Sequence, residues 1–201
     1  VKYDYSILIP SWNNLAILQT CIASIRKHSK ASYQILVYVN EGKDGTEDWL
    51  ISEQISHLKN SKNVGICVAM NELRKLVQSE VICYLNDDMY VLPGWDEEVL
   101  KVASSVKTPY FISSTMIEPP TSGNPCSIKK DFGSDLASFQ ETELLSKYNE
   151  VSFEDWSGST WPPLWLPEKL WDEIGGFSEE FSPGMYSDPD MAMKAWQKGV
   201  R

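Results

Sequence analysis

Short apolar runs alternate with helical patterns along the first half of the chain. Tyr5-Ser6-Ile7-Leu8-Ile9-Pro10 reads as a first strand closed by proline. Leu15, Leu18, Ile22 and Ile25 then recur at helical spacing and give a helix one buried face, with Asn13 or Asn14 as its cap. Tyr33–Val39 reads as the second strand and ends in the turn-rich Asn40-Glu41-Gly42-Lys43-Asp44-Gly45. Thr46, Glu47 and Asp48 open a second helix, with acids in its first turn as the helix dipole favours. A short strand is expected near Leu58–Lys62, and Ile66, Met70, Leu73 and Val77 set the apolar face of a third helix. Val81–Asn86 is the central strand, and Pro93-Gly94-Trp95 turns into a fourth helix with Trp95, Val99 and Val102 inward. Strand and helix in strict alternation predict an α/β fold around a parallel sheet with right-handed crossovers.

The regularity weakens after a fifth strand expected over Pro109–Met116. Glu118–Gly133 reads as a long surface loop, of the kind that is functional or disordered. Phe139–Tyr148 is expected to be helical and Trp156–Leu166 irregular. Pro167 starts a short helix through Leu170, Trp171 and Ile174, which Gly175-Gly176 ends. Pro189 is expected as the first residue of a last helix running to Gln197.

Composition narrows the function classes. The 201 residues suffice for one well-cored domain and are short for two. A net charge of −10 argues against nucleic acid and against an anionic membrane bound through a basic face. No apolar run approaches the length of a membrane span, and no signal-peptide pattern is present. Cys21, Cys67, Cys83 and Cys126 lack metal-type spacing and are read as reduced and buried, which places the protein in the cytoplasm, with peripheral attachment at the inner membrane face as a variant of that reading. The pattern stops at Arg201 straight after a helix, so a continuation beyond it is expected.

The central strand ends abruptly in Asn86-Asp87-Asp88. Asn and Asp are depleted in strands, and adjacent carboxylates repel. A bound divalent cation would relieve the repulsion, because hard cations prefer oxygen ligands. In an open α/β sheet, ligands lie beyond the carboxyl ends of the strands, where these residues fall. The competing reading is a solvated polar turn.

Several stretches together resemble the family 2 glycosyltransferases, whose fold is the GT-A fold. Ile7-Leu8-Ile9-Pro10-Ser11-Trp12-Asn13 is similar to the family's opening strand and its Pro-x-aromatic-Asn turn, and Val39-Asn40-Glu41-Gly42 to the end of its second strand. Asn63-Val64-Gly65 with Ala69-Met70-Asn71 resembles the Asn-x-Gly…Ala-Arg-Asn segment, and Leu85-Asn86-Asp87-Asp88 the Asp-x-Asp metal motif. Gly175-Gly176-Phe177-Ser178-Glu179 and Ser187-Asp188-Pro189-Asp190-Met191 are similar to the Gly-Gly-Phe-Asp-Glu and Glu-Asp-x-Asp-Leu segments. The chain departs from the pattern at Asn40, Met70 and Ser187, where the family carries an acid, an arginine and a glutamate.

The resemblance implies one GT-A-like domain over 1–201: a nucleotide-sugar-binding half over about 1–116 and an acceptor-binding half over about 117–201. It implies metal-dependent, inverting transfer of a sugar from a nucleotide diphosphate sugar to a hydroxyl of a carbohydrate or glycolipid acceptor. Asp88 is the expected ligand of Mn²⁺ or Mg²⁺. Pro10, Ser11, Asn13, Glu41, Asn71, Asn86 and Asp87 are the expected donor-binding residues. Asp188 is the expected base, although Asp before Pro is also a good helix cap and Ser187 with Asp190 could close a capping box. From the residues alone, Asn71 reads as helix surface or a packing contact rather than a ligand. Trp156 and Trp161, with Trp165 beside them, invite sugar stacking, against the simpler reading that each fills core. Two further functions remain open: an inactive sugar- or nucleotide-binding module, and a nucleotidyltransferase, although Pro10-Ser11-Trp12-Asn13 lacks the glycine-rich basic loop that the latter favours.

Overall fold

In the computed structural model, residues 2–106, 109–156 and 161–200 are described. Strand β1 (Tyr5–Trp12) is buried along its length until Trp12, as expected of a strand covered on both faces. Helix α1 (Leu15–His28) follows, then β2 (Tyr33–Asn40), α2 (Thr46–Ser52), β3 (Ser56–Asn60), α3 (Gly65–Arg74), β4 (Val81–Tyr84) and α4 (Trp95–Ser105). β3, β2, β1 and β4 lie side by side and parallel. Successive residues of β1 point to opposite faces. Leu8 joins Leu36, Met70 and Leu73 in one apolar layer, while Ile7 and Ile9 join Ile22, Ile25 and Leu50 in the other.

The second half departs more from the sequence reading. The strand expected over Pro109–Met116 is broken into β5 (Ile112–Ser113) and β6 (Met116–Glu118). The expected surface loop after it contains β7 (Ser127–Lys129), which pairs in parallel with β6 as a separate two-stranded sheet. Helix α5 (Glu141–Lys147) lies within the helix expected there. The stretch read as irregular contains β8 (Leu164–Pro167), which inserts antiparallel between β4 and β5. The main sheet therefore has six strands in the order β3-β2-β1-β4-β8-β5 and is mixed, not wholly parallel. Trp165 of β8 is fully buried against Tyr5 and Trp95, so it is core and not a sugar platform. Residues 157–160, the glycine-containing part of the tryptophan-rich stretch, lie outside the described residues.

Helix α6 (Glu168–Ile174) has Pro167 at its cap, and Gly175 follows in the left-handed region, as the sequence suggests. The last helix, α7 (Ser187–Gln197), starts two residues earlier than expected, so Pro189 is its third residue. No helix among the described residues is long and apolar enough to cross a membrane.

Candidate active site

The carboxyl ends of β1 and β2 are adjacent, because Trp12 pairs with Asn40. Beyond them Asn13 and Glu41 both adopt positive φ, 49° and 63°, and face each other: Asn13 Nδ2 donates to Glu41 Oε2 at 3.0 Å. The Lys43 ammonium lies 2.9 Å from the same oxygen and, with Asn13, holds the Glu41 carboxyl below its usual range. The structure thus brings together two residues expected at the donor. Pro10 and Ser11 are buried in β1 beneath them. Asn40, where the resemblance suggests an acid, is buried and accepts from the Val64 amide at 2.9 Å, so it ties β2 to the start of α3. Asn14 occupies the cap position of α1 without a side-chain cap bond; Asp44 from the next loop accepts from Leu15 N at 2.8 Å instead. Asp44 also accepts from Thr46 N and Oγ1 at the start of α2.

β4 pairs with β1, and Leu85 N still donates to Leu8 O beyond the regular strand. The next three residues are therefore delivered to the same end of the sheet. Burial pushes the Asp87 carboxyl up to about 6, against the pull of Ser11 and Asn14 and helped by Asp88. Ser11 Oγ is buried beside it but completes no hydrogen bond. Asp88 is exposed where it lines the crevice, with neighbouring protein close enough to desolvate its carboxyl in part. Burial raises its carboxyl above the ordinary range, and Glu118 adds to the rise.

Asp188 reaches the site through a contact that neither segment encodes alone. Gly65 has φ +80°, and a Cβ there would lie 2.5 Å from Pro183 Cα. Only glycine permits this approach, and Ile66 N donates to Pro183 O at 2.8 Å across it. The chain then turns through Tyr186 at φ +65°, and Ser187 Oγ donates to Gly184 O at 2.6 Å. Tyr186, not Asp188, is the cap residue of α7. Asp190 is bound to Ser178 Oγ at 2.6 Å and lies 3.4 Å from Lys194 Nζ, so no capping box forms with Ser187. Both capping readings of this segment fall. Asp188 is the second residue of α7; its Oδ1 is buried with no hydrogen-bond partner among the described residues, and burial alone pushes the carboxyl up to about 6.

Asn86, Asp88 and Asp188 line one crevice of about 690 Å³, which continues past Cys21 of α1 to β6 and Trp161. Trp161 borders it with 43% of its surface exposed, whereas the exposed Trp156 lies outside its lining. Asn71 also lies outside. Its amide donates to Phe177 O at 2.9 Å and to Glu179 Oε1 at 3.2 Å, and its carbonyl accepts from Phe177 N at 2.9 Å. Those bonds hold the turn after α6 against α3, which is the packing alternative for this residue. Met70 is wholly buried in the core. Sequence reasoning missed Glu118, at the end of β6, whose Oε2 is buried and unpartnered and which lines the crevice. The only signal was the long stretch after the fifth strand, expected as a functional loop.

The donor set suits a hard cation, since Asp88 and Asp87 offer only carboxylate oxygens. Among the described residues no three such groups are close enough to hold a metal by themselves. Mg²⁺-type sites are commonly of this kind, with one or two carboxylates and the remaining positions filled by substrate phosphates and water.

Comparison with known proteins agrees with this architecture. The Glycosyl transferase family 2 model matches residues 6–123. EpsH of Bacillus subtilis (strain 168), named as a glycosyltransferase, is 24% identical over 156 residues, 74% of this chain and 42% of EpsH. The chain resembles the structure of S. aureus TarS 1-349 in complex with UDP-GlcNAc, with a TM-score of 0.66, 15% identity, and coverage of 96% of this chain and 53% of that one. It also resembles the mannosyltransferase PcManGT of Pyrobaculum calidifontis in complex with GDP-Man and Mn²⁺, with a TM-score of 0.62, 13% identity, and coverage of 96% and 51%. The chain therefore spans about half the length of these relatives. With its match over more than half of the chain and its GT-A sheet, this protein belongs to glycosyltransferase family 2.

Proposed function

We propose that this protein transfers a sugar from a nucleotide diphosphate sugar to a hydroxyl of a carbohydrate or glycolipid acceptor, with inversion at the anomeric carbon. The observation that carries the reading is the half-buried Asp188 carboxylate, whose Oδ1 is buried without a hydrogen-bond partner among the described residues, in one crevice with Asp88. A general base needs a pKa near the working pH and a free lone pair where the proton leaves. Asp188, raised to about 6, supplies both at a crevice wall. In this mechanism its Oδ1 takes the proton of the acceptor hydroxyl as that oxygen attacks the anomeric carbon, and the nucleoside diphosphate departs from the opposite face. Asn13 and Glu41, held at the ends of β1 and β2, hydrogen-bond the nucleoside. Asn86 and Asp87 would contact the ribose or a water held by the metal. Asp88 would hold Mn²⁺ or Mg²⁺, which when bound supplies Lewis-acid neutralisation of the charge on the leaving diphosphate. Trp161 offers an apolar face to the acceptor sugar, and the exposed Trp156, outside the crevice lining, is a second candidate stacking face. The halves at about 1–116 and 117–201 thus take donor and acceptor.

Titration calorimetry with UDP and with GDP, each with and without Mn²⁺, tests the donor half of the reading. Wild type should bind one of the two with a Mn²⁺-dependent affinity. Asp88→Ala should lose the Mn²⁺ dependence while melting within a degree or two of wild type, because a strand-end acid carries little packing. A chain indifferent to both nucleotides in the presence of Mn²⁺ would overturn the assignment.

A further inference from the structure

Glu118 has no assigned task, and its position is not explained by folding. It ends β6, where the paired strand β7 and the Lys130 N–H bond to Glu118 O at 2.9 Å fix its main chain. The side chain then places Oε2 in a buried position without a hydrogen-bond partner among the described residues. Removing a carboxylate oxygen from water without a donor is costly. Lys130, the next residue after β7, lines the same crevice but forms no ion pair with it among the described residues; its ammonium lies instead 5.4 Å from the Phe132 ring. An ionised carboxylate only accepts hydrogen bonds, so its missing partner is a donor. The crevice supplies the rest of the description. It is open, and Asp88, Asp188, Glu118, Phe132 and Trp161 all line it, Trp161 with much of its surface exposed and Phe132 nearly buried. Hydroxyl donors beside an apolar aromatic wall fit a carbohydrate.

We propose that Glu118 is a specificity-determining residue that binds the acceptor, its carboxylate accepting hydrogen bonds from hydroxyls of a carbohydrate lying between β6 and Asp188. The assignment rests on the transferase reading above, in which Asp188 takes the proton of that acceptor. The two-stranded β6–β7 sheet is then an acceptor-recognition element, and its pairing holds Glu118 in place before the ligand arrives.

The test uses ligand-observed NMR with p-nitrophenyl glycosides of glucose, galactose, mannose and N-acetylglucosamine, in the presence of UDP or GDP and Mn²⁺. Wild type should bind at least one glycoside. Glu118→Ala should weaken that binding tenfold or more, Glu118→Gln should recover part of the loss, and both variants should keep wild-type nucleotide affinity and melt no lower than wild type. The proposal is overturned if Glu118→Ala binds the glycoside as wild type does, or if wild type binds none of them. It is overturned equally if the variant loses Mn²⁺-dependent nucleotide binding, which would place Glu118 at the donor, or if both variants melt well below wild type, which would make it a structural residue. A wild type that binds no nucleotide but binds a glycoside through Glu118 would overturn only the donor reading and leave this assignment standing.

Discussion

Acids with opposite circumstances sit at two places in this molecule. Asp96, in the first turn of α4, is fully buried, and its Oδ2 accepts from Lys30 N at 2.8 Å, Ala31 N at 2.9 Å and the Tyr5 hydroxyl at 3.2 Å. Asp44 similarly serves the starts of α1 and α2. Asp96 Oδ1, Asp188 Oδ1 and Glu118 Oε2 are all buried without a donor, but Asp188 and Glu118, unlike Asp96, have no donor among the described residues on their other oxygen either. The first pair joins segments of the scaffold and stabilises it. The second pair is desolvated at the scaffold's expense, as expected where carboxylates are kept for a ligand or a proton. Burial alone does not separate the two roles; the presence of donors does.

The largest expected effect breaks the comparison at Asp188. Asp188→Asn keeps the shape of the side chain and removes the proton acceptor, so transfer should slow on the order of 10²–10⁴-fold while nucleotide affinity holds. A near wild-type rate in a steady-state assay would return Asp188 to a structural role and make Asp190 the next candidate. Asp96→Ala should do the reverse. It strands two main-chain N–H groups and a tyrosine hydroxyl in the interior, which costs about 3–5 kcal/mol at roughly 1–3 kcal/mol for each unmet group with partial relaxation. Urea unfolding should show that loss; a variant as stable as wild type would contradict the scaffold role of Asp96.

A smaller effect sharpens the contrast through pH. The folded-state carboxyl of Asp188 is raised to about 6 from an ordinary 3.8. Its contribution to stability is therefore fully present below about 3.8 and lost as the pH rises through about 6, where the folded chain must ionise a desolvated group. Asp188→Asn should accordingly be more stable than wild type near pH 7.5, by about 1–3 kcal/mol, and should show no such gain near pH 4. Activity runs the opposite way, rising as the base ionises through about 6. Melting curves across pH 4–8 that stay parallel for the two proteins would rule this out. The smallest expected effect is that of Asp44→Ala, which removes the caps of α1 and α2 and should lower stability by about 1–2 kcal/mol. Calorimetric melting would detect it; a loss within error would mean that water replaces the cap.

The parallel half was legible because its signals are local. Apolar runs of strand length, helical spacing after each, and polar residues at the strand ends carry β1, β2, β4 and their helices, and place Asn13, Glu41 and Asp88 at one edge. β8 was not legible. Its tryptophan and prolines read as irregular, and Leu164–Pro167 becomes a strand only because β4 and β5 offer it two ladders. β7 was hidden for the same reason, since three residues pair only when β6 lies beside them. Asn71 was ambiguous because its partner Phe177 is 106 residues away.

By itself the sequence determined the alternation of strands and helices through β4 and α4, the acidic end of the central strand and the family motifs, because periodicity, turn chemistry and motif spacing act over a few residues. The tertiary structure alone decided that Asp188 is no cap but a bare carboxylate, that Trp165 is core while Trp161 faces the crevice, and that Glu118 joins Asp88. The physical reason is that burial and the absence of a donor are properties of what surrounds a group. For Asp188 those surroundings are assembled by the close approach of Gly65 to Pro183, which the chain reaches only when folded.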